Sequence, residues 1–258
     1  MRRRKFLRAG TGAVAGSVLL GAAGSATATE KPQMTFESAH YSNYTSSSRS
    51  ASDMRWIVVH TIEGSASSGI NWFKNPDANV SSHFVVDSDG NITQMVELSD
   101  VAWTQGNGEY NDTGISIEME GYANETDFSE AMYEAVGQLC AWLCETYDIP
   151  KSHPTFDIAP CSAYDGQGGL IGHSQVPSPY DCSEVTGGKV DPGSTWDWDY
   201  LLQQMDGATG GSLSAGDVVA TTTSVNVRSE PTIGDNVLHT NQEGVRGVVK
   251  DGPQEADG

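Results

Sequence analysis

Apolar positions along this chain repeat with two different periods, and the changes between them outline a mixed domain. The run Arg55-Trp-Ile-Val-Val-His-Thr61 is apolar and β-branched, which predicts a buried strand ending at His60. The stretch Ser68 to Pro76 predicts a helix that the proline stops. Ser81 to Glu97 places two strand-like runs on either side of Asp87-Ser-Asp-Gly90, the signature of a hairpin. From Thr113 to Gly121, Ile115, Ile117 and Met119 alternate with Ser116, Glu118 and Glu120. That period of two predicts a half-buried strand with its carboxylates on one face. Ser129 to Tyr147 has helical periodicity with Ser129 placed to cap it, and a shorter helix is predicted over Trp196 to Met205. Strands mixed with helices give an α/β or α+β domain.

The ends of the chain follow other rules. Residues 1–28 begin with Arg3-Arg4-x-Phe6-Leu7, continue through a short glycine-containing apolar run and end in Ala26-Thr-Ala28. This pattern predicts a twin-arginine export signal, and hence a secreted protein beginning near Thr29, with no stable membrane insertion. Residues 29–53 read as an irregular lead-in, 54–206 as the main domain, and 207–215 as a Gly/Ser linker. Residues 216–258 show short β-type runs. Val225-Asn-Val-Arg-Ser229 there resembles the start of a bacterial-type SH3 domain, but 43 residues fall short of a complete barrel.

The chain carries 14 Lys+Arg against 34 Asp+Glu, a net charge of −20. Residues 1–28 hold five of the basic side chains and no acidic ones, so the remainder stands at −25. Such a surface excludes a nucleic-acid partner, because it has no basic stripe to meet phosphates. It suits solubility in concentrated salt, where a short Debye length screens the self-repulsion, and predicts a salt-adapted host. Four cysteines, Cys140, Cys144, Cys161 and Cys182, in an exported chain predict up to two disulfides. Cys140 and Cys144 share one helix face, so each is expected to find its partner elsewhere, with Cys161 and Cys182 as the candidates.

Two imidazoles and a carboxylate stand out as a possible metal set: His60 at a strand end, His173 in Leu170-Ile-Gly-His-Ser-Gln-Val-Pro177, and Asp191 in Lys189-Val-Asp-Pro-Gly193. Three such ligands with an open fourth position make a catalytic rather than a structural zinc site. The ordered set IVVHT, SSHFVVDSDGNITQMVE, NDTGISIEMEG, GHSQVP and KVDPG resembles the zinc-dependent N-acetylmuramoyl-L-alanine amidases, a family that includes peptidoglycan recognition proteins. The resemblance implies a mixed central β-sheet flanked by helices, one Zn²⁺ per chain held by His60, His173 and Asp191, and bacterial peptidoglycan as partner. It implies that Glu118, with Glu120 as fallback, handles the proton, and that Lys189 stabilises the oxyanion while the bond from the lactyl carbonyl of N-acetylmuramic acid to L-alanine is cut. His83 and Trp103 are expected along the substrate groove.

The chain departs from that pattern in three places. His173 and Asp191 are 18 residues apart, as though Asp181 to Gly188 were inserted, which makes Cys182 a rival ligand. Asp191 is preferred because Lys189 precedes it and Pro-Gly follows. Thr104 stands where relatives commonly have histidine, and Ser82 where some have tyrosine. His40, His153 and His239 match no motif and are expected to be structural or surface residues. Two other functions use the same words: a binder of peptidoglycan without catalysis, and a zinc peptidase cutting within the stem peptide.

Overall fold

The computed structural model describes residues 29–206 except Gln167, and beyond them the backbone of four short strands. The predicted export signal (1–28) and linker (207–215) lie outside the described residues, as does most of the SH3-like segment. Of that segment, Val225–Arg228 pairs antiparallel with Val237–Asn241, and Arg246–Val248 with Val218–Ala220.

The eight strands of the main domain are β1 (Thr35–Phe36), β2 (Tyr44–Thr45), β3 (Trp56–Thr61), β4 (Phe84–Val86), β5 (Ile92–Gln94), β6 (Val101–Ala102), β7 (Gly114–Met119) and β8 (Gly169–Gly172). The helices are α1 (Ala66–Lys74), α2 (Gly108–Thr113), α3 (Glu130–Tyr147) and α4 (Trp198–Met205). Six strands form one sheet in the order β1-β5-β4-β7-β3-β8. Every pairing in it is parallel except the β4/β5 hairpin. β2 and β6 make a separate antiparallel pair.

β7 is the strand the sequence misjudged. It lies between β4 and β3 and is buried along almost its whole length, not half exposed. Parallel strands in the middle of a sheet have layers on both faces, so alternation here sorts two interiors and not core from solvent. Ile115, Ile117 and Met119 join Ile57, Val59, Phe84 and Leu170 in the core beneath α3 and α4. On the opposite face β3 and β8 contribute Trp56, Val58 and Ile171 to a cluster with Tyr110 of α2. Ser116, Glu118 and His60 share that opposite face by strand parity.

α3 forms where its capping and periodicity predict. The Met132 N–H donates to Ser129 Oγ at 3.1 Å, and Asp148 ends the helix in a left-handed conformation. Its buried stripe, including Met132, Val136, Leu139 and Leu143, covers the sheet. α4 crosses α3 at Gly137, where a Cβ would come within 2.5 Å of Gln204 Cβ, so only glycine permits that approach. Trp196 stacks on Tyr133 with ring centroids 4.2 Å apart and anchors the segment leading into α4.

The cysteines depart from expectation. Cys161 and Cys182 bond to each other, and Cys140 and Cys144 are free thiols buried in the main core. Their shared helix face points at the sheet, where no second cysteine stands; Cys161 and Cys182 lie on surface segments with Cα atoms 5.2 Å apart. Burial pushes the Cys144 thiol up to about 12, and the Cys140 thiol is raised as well.

Candidate metal centre and cavity

The carboxyl ends of β3, β7 and β8 converge at one point of the sheet, the usual place for a site in folds with parallel strands. His60 is the fifth residue of β3 and is paired in register with Glu118 on β7. Val59 is paired with Gly172, so His173, which follows β8 directly, arrives beside His60. Asp191 reaches them from a turn held on two sides. The Ser174 N–H donates to the Asp191 carbonyl at 2.9 Å, and Thr61 Oγ1 donates to the Pro192 carbonyl at 3.3 Å.

The three side chains face one another. His60 Nδ1 and His173 Nδ1 are 3.0 Å apart, and each is 3.3 Å from Asp191 Oδ2. All three residues are buried, and they form the one group of metal-competent side chains found among the described residues. A tetrahedral ion at zinc distances of about 2.0–2.1 Å spaces its ligand atoms about 3.3–3.4 Å apart, so these separations fit such an ion. Orientation agrees with spacing. His173 Nε2–H donates to the Gln105 carbonyl at 3.2 Å, which leaves the lone pair on Nδ1 and turns it toward the group. His60 Nε2 is buried without a hydrogen-bond partner among the described residues.

Electrostatics follow from burial and crowding. Desolvation, and then the proximity of His173, press His60 down to about 4, so its imidazole is neutral at pH 7 as a ligand must be. Burial by itself would raise the Asp191 carboxyl. The closeness of His173 and His60 outweighs it and holds Asp191 well below the usual carboxylate range. Glu118 is pushed up to about 8, by burial first and by Asp191 second, against the opposing pull of Lys189. Its Oε2 is buried and makes no hydrogen bond among the described residues.

A cavity of about 590 Å³ opens above this group. Glu118 and Lys189 line it together with His60, His173 and Asp191. Lys189 has extended backbone (φ −65°, ψ 144°), and Val190 between it and Asp191 is 58% exposed, so Lys189 and Asp191 turn to the same side. Trp72, Val80 and Trp103 supply apolar wall, and Glu63 and Thr104 polar wall.

Two expectations receive different answers from the groove. Trp103 lines the cavity, with its indole N–H donating to Thr45 Oγ1 at 2.9 Å. His83 does not: it is wholly buried, with Nδ1 2.9 Å from Ser116 Oγ and Nε2 2.8 Å from Arg49 Nη2. It sits just ahead of β4 between neighbouring strands, so its polar side chain ties the sheet together. Cys182 is committed to its disulfide and stands apart from the His60 group. Ser82 is buried with its hydroxyl on the Phe84 carbonyl, and Thr104 Oγ1 donates to the Ser81 carbonyl at 2.6 Å. His40 and His153 have structural partners, Ser42 and the Leu170 carbonyl respectively. Glu120 receives the Ser88 N–H and stays outside the cavity lining.

Trp72, Glu63 and Gln105 were not anticipated. The position of Trp72 on the exposed face of α1 was readable, but not that this face borders the site. Gln105 acts through a backbone carbonyl, which no side-chain pattern reveals.

Comparison with known proteins gives a consistent answer. Residues 50–194 match the family described as N-acetylmuramoyl-L-alanine amidase. The chain is 31% identical to N-acetylmuramoyl-L-alanine amidase A of Achromobacter lyticus, covering 66% of this chain and 91% of that protein. It is 32% identical to the 1,6-anhydro-N-acetylmuramyl-L-alanine amidase AmpD of Haemophilus influenzae, over 49% of this chain and 59% of the relative. In fold it resembles the Staphylococcus aureus hydrolase AmiA, solved with its ligand, at a TM-score of 0.51 and 17% identity over 69% of this chain and 83% of AmiA.

Proposed function

We propose, for a chain that belongs to the N-acetylmuramoyl-L-alanine amidase family, that it is a secreted, zinc-dependent hydrolase. Its reaction cuts the amide between the lactyl carbonyl of N-acetylmuramic acid and the L-alanine of the stem peptide. The observation that carries the reading is the convergence of His60, His173 and Asp191 at 3.0–3.3 Å in the floor of a cavity that also holds Glu118 and Lys189. Secretion rests on the twin-arginine pattern of residues 1–28.

His60 and His173 through Nδ1, and Asp191 through Oδ2, would hold one Zn²⁺. When bound, the ion supplies Lewis acidity toward the scissile carbonyl and toward a water molecule. Glu118 takes the proton that the attacking water gives up and delivers it to the departing L-alanine nitrogen. Burial raises its pKa to about 8, and the positive charge of a bound ion would draw that value down and favour the carboxylate that accepts the proton. Lys189, on the same wall, places its ammonium where the carbonyl oxygen gathers negative charge as the tetrahedral centre forms. The apolar wall of Trp72, Val80 and Trp103 displaces water and strengthens both effects.

The test is digestion of purified peptidoglycan, followed by mass spectrometry, with and without a chelator. Free stem peptides beginning with L-alanine, lost on chelation and restored by Zn²⁺, are expected. Glycopeptides that stay intact with ample zinc present would leave a binder, and cuts within the stem peptide would leave a peptidase.

A further inference from the structure

Four non-glycine residues among those described adopt left-handed backbone conformations; of these, Glu63 (φ 59°) lines the cavity and Asn124 (φ 63°) contacts the Gly193–Ser194 turn. L-residues enter this region at a cost, asparagine more readily than most. Each of the two spends a side-chain oxygen on a neighbouring loop. The Ala123 N–H donates to Glu63 Oε1 at 2.9 Å, and the Ser194 N–H donates to Asn124 Oδ1 at 2.8 Å. Gly64 and Gly121 exchange two backbone hydrogen bonds at 3.0 Å each. Gly193 (φ 93°) lies so close that a Cβ there would fall 2.3 Å from the Asn124 nitrogen.

These contacts form a continuous path. It runs from the end of β3, which carries His60, through residues 121–124 beyond β7, to Gly193 and Ser194. Asp191 lies two residues before Gly193. At Asp191 and Pro192 the turn is fixed by the Ser174 N–H and the Thr61 hydroxyl, which donate to those two backbone carbonyls. Two residues further on, the Asn124 side chain holds the turn at Ser194, with the Asn124 backbone in the left-handed region.

We propose that Asn124 is a positioning residue for Asp191: its amide oxygen locks the turn and so sets the carboxylate against His60 and His173. The inference rests on the metal-site reading above. Loss of the lock lets Asp191 Oδ2 drift from the two imidazoles, which weakens the site for a metal while leaving the cavity walls in place.

The experiment compares Asn124→Ala, Asn124→Gly and Asn124→Asp in the full chain. It measures Zn²⁺ affinity by competition with a chromophoric chelator, the visible spectrum of the Co²⁺-loaded form, and the melting temperature of the metal-free protein. Glycine accepts the left-handed backbone but lacks the oxygen; aspartate keeps both. Alanine and glycine variants are expected to bind Zn²⁺ about 10–100-fold more weakly, with an altered Co²⁺ spectrum, and aspartate is expected to restore both. Wild-type affinity in the alanine variant overturns the proposal, and so does rescue by glycine, since backbone conformation alone would then suffice. A wild-type chain that binds no divalent metal would instead sink the metal-site reading itself, an outcome distinct from equal binding by wild type and variant.

Discussion

At the scale of single residues, position in the sheet decides what each histidine does. His60 and His83 are both buried and both pressed below the ordinary imidazole range, yet one faces the cavity and the other faces Arg49. Burial first, and the Arg49 guanidinium second, push His83 down to about 3 from an unperturbed 6.5. An unfolded chain takes up a proton near pH 6.5 that the folded one refuses, so His83 contributes stability above that pH. The contribution is lost as pH falls toward 3, with a slope of about 1.4 kcal/mol per pH unit. Denaturant unfolding of His83→Gln and wild type between pH 7 and 4 should therefore show a shallower acid slope in the variant; identical slopes would mean that the ring is protonated in the fold. In the proposed reaction Lys189 makes a different kind of contribution. Lys189→Ala should keep its zinc and its melting temperature while kcat falls about 10²–10³-fold. Near-normal turnover would remove the ammonium from the reaction.

Elements succeed where local chemistry and burial agree. α3 has its Ser129 cap, its apolar stripe and its left-handed Asp148 terminus, and each was readable or nearly so. Its core-facing residues hold the sheet from below, and the sheet in turn sets the spacing of His60, Glu118 and His173. Leu139 is completely buried among these contacts. Leu139→Ala should cost about 2–5 kcal/mol in chemical denaturation, with the zinc-loaded variant keeping its cleavage specificity. A cost below 1 kcal/mol would show that α3 is not the clamp described. β7 is the counter-example. Its alternation gave the correct parity and the wrong surroundings, because strand periodicity reports two faces without saying what covers them.

For the molecule as a whole, the Cys161–Cys182 bridge links the segment before β8 to the extra residues before Lys189. Pro177 and Val185 form an antiparallel bridge at the base of that excursion. The Thr186 hydroxyl donates to the Gly106 carbonyl at 3.3 Å beneath it. The chain thus returns on itself before delivering Lys189 and Asp191 to the cavity. Closing a loop of 21 residues stabilises a fold by about 3 kcal/mol in the chain-entropy account. The paired Cys161→Ser, Cys182→Ser variant should lose about 2–4 kcal/mol and still bind zinc. Zinc lost together with the bridge would return Cys182 to the ligand set. No helix among the described residues is long and apolar enough to cross a membrane.

Local pattern determined the strand that carries His60, the hairpin, the helices α1, α3 and α4, and the placing of Lys189 two residues before Asp191, because these depend on neighbours within a few positions. The same words, in order, were enough to suggest the family and its metal set. Tertiary structure alone decided that Glu118 is buried beside His60, that His83 belongs to the scaffold, and that Cys161 bonds Cys182. It also decided that Asn124 and Glu63 brace loops far from them in sequence. Each of those outcomes depends on which segments meet across the sheet, and a residue carries no mark of the partner that folding brings to it.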